Sequence, residues 1–234
     1  MRIVIQNFNR LASMQRLINW LKTADEVSHI VIFDNASDYP PLLDWYASGA
    51  GGCEVVRSEK NGGHLGVQTY LTTLPEEPIA VTDPDLYPLP ECPRDLIPKC
   101  LNALSKIPQI NKAGPGLDLS NIPRHYPFAD MVIAHERKQL GKTVIPGIRL
   151  SRIDTTFAVY RVPAGFGNWR DNAVRFDWPY HMEHPDWHIN PSDMDAEYAH
   201  YLSTSSSSGS YAMKLREWCD RNEIDWKKNA KEIK

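Results

Sequence analysis

Apolar positions alternate between short runs and helical stripes over the first third of the chain. Ile3-Val4-Ile5, Ile30-Val31-Ile32-Phe33, Glu54-Val55-Val56-Arg57 and Ile79-Ala80-Val81-Thr82 each read as a short strand. Between the first two, Met14, Leu17, Ile18 and Leu21 fall on one face of a helix, with Ser13 placed as its N-cap. Pro40-Pro41 opens a short helix carrying Leu42, Leu43, Trp45 and Tyr46. Asn61-Gly62-Gly63 breaks the chain, and Leu65 to Leu74 reads as a helix. Apolar strands separated by helices predict an α/β fold, a mostly parallel central sheet flanked by helices on both faces.

The pattern is less regular beyond this point. A helix is expected over Pro93 to Ile107, and a long loop over 108–128, where Pro and Gly are frequent. Met131-Val132-Ile133-Ala134 and Thr156-Phe157-Ala158-Val159-Tyr160 read as further strands. Ser192 is placed to cap a helix reaching about Leu202. The Ser-rich run 203–210 predicts a flexible loop, and the charged tail 211–234, with Leu215, Trp218 and Trp226, a helix. A chain of 234 residues accommodates one large domain, expected over 1–202.

Composition narrows the classes of function. A formal net charge of -3 gives no basic field for bulk nucleic-acid binding. No apolar run reaches the roughly 20 residues of a membrane span, so no transmembrane segment is expected. The N-terminus enters a strand pattern directly and lacks the features of a signal peptide. Cys53, Cys92, Cys100 and Cys219 form no CxxC pair. Reduced thiols and a cytoplasmic location are expected.

Parallel sheets bind ligands beyond the carboxyl ends of their strands, so the residues there are the candidates for chemistry. Asn7, Asn9 and Arg10 follow the first strand, Asp34 the second, Asn61-Gly62-Gly63 the third and Asp83-Pro84-Asp85 the fourth. Alternate residues of an extended segment point the same way, so Asp83 and Asp85 can approach one site. Hard carboxylate oxygens suit magnesium or manganese. The same spacing recurs in Asp193-Met194-Asp195, at a helix start where acids favour the dipole, and is read as structural. Asp34 can meet a ribose or base, or close its strand with an Asx-turn. The amides around Asn61 and Gly63 can approach phosphate or sugar, or simply turn the chain. GxxxxGK[ST] is absent, and GxGxxG does not follow the first strand.

Taken in order, Asn7-Phe8-Asn9-Arg10, Ile32-Phe33-Asp34-Asn35-Ala36-Ser37, Asn61-Gly62-Gly63 and Thr82-Asp83-Pro84-Asp85 resemble the GT-A-fold glycosyltransferases, in particular the small bacterial and phage type related to family 2. The resemblance covers residues 1 to about 88 well and is patchier beyond. It implies a nucleotide-sugar-binding half over 1–88 and an acceptor-side half over 89–202. It implies that Asn9, Arg10 and Asp34 contact the nucleotide, and that Asp83 and Asp85 form a DxD motif tying a divalent metal, Mn2+ or Mg2+, to the donor diphosphate. A histidine of the C-terminal half often completes the metal shell in such enzymes. Of His181, His184 and His188, the arrangement Pro179-Tyr180, His184, Trp187 favours His184, and Pro185 argues against one continuous helix. Asp154, just before a strand, is the candidate catalytic carboxylate, ahead of Asp118, Asp130 and Glu183, or else serves as a cap or pairs with Arg149 or Arg152. The usual Glu-Asp motif of inverting members is not evident, so the stereochemistry stays open. Trp169, Trp178, Tyr180 and Trp187 can stack on sugar rings or belong to the core.

The expected activity is therefore metal-dependent hexosyl transfer from a nucleotide-diphosphate sugar, a UDP-sugar by the resemblance, to a glycan or other hydroxyl acceptor. Two alternatives remain. A sugar-1-phosphate nucleotidyltransferase would need a Gly-rich basic loop after the first strand, where Asn7-Phe8-Asn9-Arg10 has no glycine. A non-catalytic nucleotide- or carbohydrate-binding module would bind without cleaving a donor.

Overall fold

The alternating first third builds one half of a nine-stranded sheet. In the computed structural model, which describes residues 1–168, 172–205 and 210–228, the chain runs β1 (Arg2–Asn7), α1 (Ala12–Leu21), β2 (His29–Asp34), α2 (Pro40–Ala47), β3 (Glu54–Arg57), α3 (Gln68–Leu71) and β4 (Ile79–Thr82). It continues through β5 (Tyr87–Pro88), α4 (Leu96–Lys106), β6 (Lys112–Gly114), β7 (Gly116–Leu117), α5 (Ala129–Gln139), β8 (Leu140–Ile145) and β9 (Ile148–Ser151). The last elements are β10 (Ala158–Tyr160), β11 (Ala173–Phe176), β12 (His181–Glu183), α6 (Ala196–Thr204) and α7 (Tyr211–Arg221). The large sheet has the order β3-β2-β1-β4-β10-β6-β11-β9-β8. The first four strands are parallel; β10 and β9 run against the rest.

Strand alternation divides the core into two layers. Ile3, Ile5, Ile30 and Ile32 face one side, where α1 supplies Met14, Leu17, Ile18 and Leu21 and α4 supplies Leu96, Ile97, Cys100 and Leu104. Val4, Val31, Phe33 and Val81 face the other, against Val67, Leu71, Tyr160 and Phe166. The chain order reverses between β1 and β4, so a crevice opens beyond their carboxyl ends.

Several expected elements differ. Met131–Ala134 lies inside helix α5, not in a strand. A four-residue apolar run carries no period of its own; the deciding signal is the pair Val132 and Glu136, buried one helical turn apart. The expected loop 108–128 holds β6 and β7, and β7 joins β5 and β12 in a small second sheet. Ser13 lies inside α1 and is buried there; its hydroxyl accepts from Arg10 Nη2. Asp195, not Ser192, caps α6, its side chain accepting from Tyr198 N. α6 runs on to Thr204, and Ser210 caps α7, so only residues 206–209 of the Ser-rich run, like 229–234 of the tail, fall outside the described residues. α6 and α7 share a cluster of Tyr198, Leu202, Leu215, Cys219 and Trp226. All four cysteines are free thiols. Among the described residues no helix is long and apolar enough to cross a membrane.

Candidate active site

A cavity of about 700 Å³ opens at the carboxyl ends of β1 and β4. Its walls come from the loops after those strands, the segment 152–156, the turn after β12, one face of α5 and the start of α7.

Its acidic centre is assembled by two pairings. Asp83 N donates to Thr155 O at 3.2 Å, which sets segment 154–156 beside the end of β4. Glu183 lies opposite Tyr87 in the small sheet, which brings the chain after β12 back alongside the chain after β4. Asp85, His184 and Asp186 consequently each offer one ligand atom, all within 4.8 Å of one another. His184 Nδ1 lies 3.7 Å from Asp85 Oδ2. The imidazole is held flat against Trp187, ring centroids 4.8 Å apart at 18°. Its Nδ1 is buried and has no hydrogen-bond partner among the described residues. Two carboxylates and an imidazole with an unused nitrogen fit a divalent cation of the manganese or magnesium kind.

Arg10 balances this charge. Nη1 and Nη2 donate to the two carboxylate oxygens of Asp186 at 2.9 and 2.8 Å, and Nη1 lies 3.7 Å from Asp85 Oδ2. The guanidinium is buried, near the rings of Tyr198 and Tyr201 at 5.0 and 5.2 Å. Burial alone would raise the carboxyl of Asp186; the Arg10 guanidinium more than offsets it and holds that group below the usual range. Asp85 is pushed up, by burial first and then by Asp186, with His184 and Arg10 opposing. Asp83 is pushed well up by burial and by the neighbouring Asp85, although its Oδ2 accepts from Thr155 Oγ1 at 2.5 Å. The site is thus a crowd of acids in which Asp83 and Asp85 hold their negative charge at a cost.

Asp154 lines the same cavity; its Oδ1 accepts from Thr156 N at 3.2 Å. Opposite, on the α5 side, Arg175 donates to Glu136 at 2.9 Å in a buried ion pair. Asp118, Asp130 and Glu183 do not line the cavity.

Of the residues singled out in the sequence, Arg10, Asn61, Gly63, Asp83, Asp85, Asp154 and His184 border this cavity. Asn9 and Asp34 do not. Asn9 Oδ1 accepts from the backbone N–H of Asp38 and Tyr39, and its Nδ2 donates to Asp38 and Thr204. Asp34 is fully buried, accepting from Ser37 N, Tyr46 Oη and Arg57 Nε. Both side chains fasten the loops behind the cavity. The Asn61-Gly62-Gly63 turn wraps Asn35: Gly62 N donates to Asn35 Oδ1, Gly63 N to Asn61 Oδ1, and Asn35 Nδ2 to Gly63 O. Gly63 has φ +66°, a conformation that favours glycine, and a Cβ on Gly66 would stand 2.5 Å from Asn35 Oδ1 and displace that side chain. The amides of Gly62 and Gly63 are therefore already engaged by side chains.

Asp186, Asn35, Glu136 and Arg175 border the cavity without having been singled out. Asp186 had a sequence signal, an acid two residues after His184, the same spacing as Asp83 and Asp85. The buried Glu136 had none, because it follows an apolar run that reads equally as a strand. Trp187 is buried beneath His184, Trp178 is exposed, and Trp169 lies outside the described residues.

No protein-family model matches the sequence. No curated protein matches it significantly either. Solved structures do. One is a mannosyltransferase from Pyrobaculum calidifontis in complex with GDP-Man and Mn2+, with TM-score 0.50 and 12% identity over 92% of this chain and 67% of that one. Another is residues 1–349 of TarS from S. aureus, with TM-score 0.49 and 12% identity over 97% of this chain and 73% of that one. A third is glucosyl-3-phosphoglycerate synthase from Mycobacterium tuberculosis with phosphoglyceric acid, with TM-score 0.44 and 17% identity over 68% of this chain and 56% of that one. The chain spans only part of each. The first likeness shows the fold: an α/β fold of the GT-A, nucleotide-diphospho-sugar transferase type, as the resemblance of the N-terminal motifs implies.

Proposed function

We propose that the chain is a divalent-metal-dependent glycosyltransferase, taking a hexose from a nucleotide-diphosphate donor, in the first place a UDP-sugar, and passing it to a hydroxyl of a glycan or small acceptor. The observation that carries this reading is the gathering of Asp83, Asp85, His184 and Asp186 around one cavity at the carboxyl ends of β1 and β4. Three crowded carboxylates, Asp83, Asp85 and Asp186, the first two pushed up by burial and by a neighbouring acid, are unfavourable unless positive charge joins them, and the Arg10 guanidinium supplies one such charge. A nucleotide-sugar complex with Mn2+ is the state in which the first similar structure was solved.

Asp85, His184 and Asp186 would hold Mn2+ or Mg2+, which when bound would neutralise charge on a diphosphate leaving group. Arg10 keeps Asp186 ionised and aimed by gripping both its oxygens. Thr155 fixes Asp83 through its hydroxyl, at the boundary between donor and acceptor halves. Asn61 and Gly63 form a fixed wall on the donor side. Asp154 faces the acceptor side, where its carboxylate would take the proton of an acceptor hydroxyl if the reaction inverts, or position donor or acceptor if it retains. Tyr198 and Tyr201 cover Arg10 and exclude water from its ion pair.

The test is calorimetric titration of UDP and GDP with and without Mn2+, followed by a panel of nucleotide sugars read by nucleotide release. Metal-dependent nucleotide binding that disappears in Asp85→Ala, with release from at least one donor, is the expected result. Binding indifferent to both metal and Asp85 would overturn the metal assignment, and metal-dependent binding with no release from any donor would favour a binding module.

A further inference from the structure

The β8–β9 hairpin closes one edge of the large sheet: Ile148 and Leu150 of β9 pack against the core, and β8 lies outside it. β8 is the last strand of the large sheet, paired among the described residues with β9 alone, and each of its residues from Leu140 to Ile145 is exposed. Val144 and Ile145, two of the exposed large apolar side chains, sit at its tip. Asp177 N donates to Gly147 O in the hairpin turn at 3.0 Å, which brings Trp178 alongside; Trp178 is 65% exposed. The charge of this stretch is as unusual as its exposure. Residues 137–153 contain Arg137, Lys138, Lys142, Arg149 and Arg152 and not one acid, in a chain whose net charge is -3. Arg149 is paired with Asp177 at 2.7 Å. Arg137, Lys138 and Lys142 have no ion-pair partner among the described residues.

We infer that this hairpin, with Trp178, is a docking surface for an anionic lipid bilayer. A tryptophan and two aliphatic side chains at a projecting tip match the chemistry of the membrane–water interface, where an indole ring sits at headgroup level. Lys142, two positions before Val144 on β8, adds attraction to anionic headgroups, and a small apolar wedge needs that second signal to hold. Two other occupants fit less well. A second copy pairing β8 with β8 in antiparallel fashion would bring Lys142 close to its mate, a like-charge contact of the kind that protects edge strands. A nucleic acid would engage the cations and leave Val144 and Ile145 in water. The base of the hairpin opens on the cavity, through Gln139 before β8 and Arg152 after β9, which are joined by Arg152 N donating to Gln139 O. If the transferase reading holds, docking would turn the acceptor half of the cleft towards groups displayed on the lipid surface.

The experiment is co-sedimentation of the full chain, without donor or metal, with vesicles of phosphatidylcholine alone or with about 30 mol % phosphatidylglycerol, at low and high salt. Binding to the anionic vesicles that salt weakens is expected. Lys142→Glu should weaken it about fivefold or more, since it inverts one surface charge. Val144→Ser combined with Trp178→Ala should lower the bound fraction at high salt too, where insertion dominates. Both variants change exposed side chains only, and their melting curves should match the parent's. Absence of binding, equal binding to both vesicle types, or binding untouched by both variants would overturn the inference. So would a dimer in light scattering that Lys142→Glu abolishes, or tighter binding to an oligonucleotide than to the vesicles. Because donor and metal are left out, failure here leaves the transferase reading standing, and failure of metal-dependent nucleotide binding leaves this one.

Discussion

Arg10 and Asp186, 176 positions apart in sequence, meet through two parallel hydrogen bonds of 2.9 and 2.8 Å in the wall of the cavity. The pair joins the loop after β1 to the turn after β12, so the N-terminal half of the site holds the C-terminal half in place. α6 joins the same contact: Tyr198 and Tyr201 flank the guanidinium, and Glu197 approaches its Nε at 3.6 Å. Arg10→Ala should therefore lower unfolding stability by about 3 kcal/mol or more, since it leaves Asp186 and Asp85 buried without their cation. Arg10→Lys should recover only part, because an ammonium cannot reproduce the two-pronged grip. Urea unfolding of the three proteins measures both differences.

His184 offers a cleaner view of the metal. Its Nδ1 has no hydrogen-bond partner among the described residues, so the loss of the imidazole breaks no hydrogen bond there. His184→Gln should leave the unfolding midpoint of the metal-free protein close to the parent's. It should weaken Mn2+-dependent UDP binding about tenfold or more, as loss of one ligand from a small set does. Calorimetry with and without Mn2+ separates the two. A variant binding as tightly as the parent would remove His184 from the metal shell.

Asp83 carries the opposite trade. Burial and the charge of Asp85 push its carboxyl well up, so its ionised form burdens the folded state. Asp83→Asn keeps an oxygen for Thr155 and removes the charge. The metal-free variant should melt roughly 2–4 °C higher at neutral pH, the shift about 1 kcal/mol produces in a chain of this size, while donor turnover falls. The sign with pH follows from the direction of the shift. A group raised in the folded state costs stability as pH rises through its folded value, so the advantage of Asn should shrink in acid, where Asp83 is protonated. Scanning calorimetry at several pH values reads this directly.

The fold was legible wherever one face of an element is buried and the period therefore written plainly, as in β1 to β4 and α1. The site was legible where polar residues close a buried strand: Asp83 and Asp85 follow Ile79–Thr82, and Arg10 follows β1. What escaped was set by distance in space rather than by local pattern. Asp186 acquires its role from Arg10, and Glu136 from Arg175, partners 176 and 39 positions away. Met131–Ala134 misled because a short apolar run fits a strand and a helix equally. Ser192 and Asp195 are both acceptable N-caps by type; the helix start is fixed by which one can reach Tyr198 N.

Asp154 is tested by separating chemistry from binding. It lines the cavity but is not one of the three grouped ligand residues Asp85, His184 and Asp186, so Asp154→Asn should leave metal-dependent UDP affinity within about twofold. Transfer should fall about a hundredfold if its carboxylate takes the proton of the acceptor. Initial rates against calorimetric Kd for the same preparation give the split. Full transfer would clear Asp154 of the chemistry.

Asn9 can be tested against the role that the resemblance implies for it. Its amide makes four hydrogen bonds, to Asp38 N, Tyr39 N, Asp38 Oδ1 and Thr204 Oγ1, and its backbone sits at φ +53. Every donor and acceptor of the amide is thus engaged within the protein, and none is left for a nucleotide. Asn9→Ala loses these bonds and leaves in the left-handed conformation a side chain that cannot hydrogen-bond locally as Asn does, which costs about 1 kcal/mol by itself. Asn9→Gly loses the bonds but accepts the conformation. Both variants should be less stable than the parent, Gly less severely than Ala, while the Kd for UDP and Mn2+ per folded molecule stays close to the parent's. Unchanged stability with a weakened Kd in both variants would return Asn9 to the nucleotide. The Ala–Gly difference distinguishes the two contributions: if it vanishes, the hydrogen bonds account for the whole effect, and the strained backbone is relieved in the Ala variant by a shift of the loop after β1.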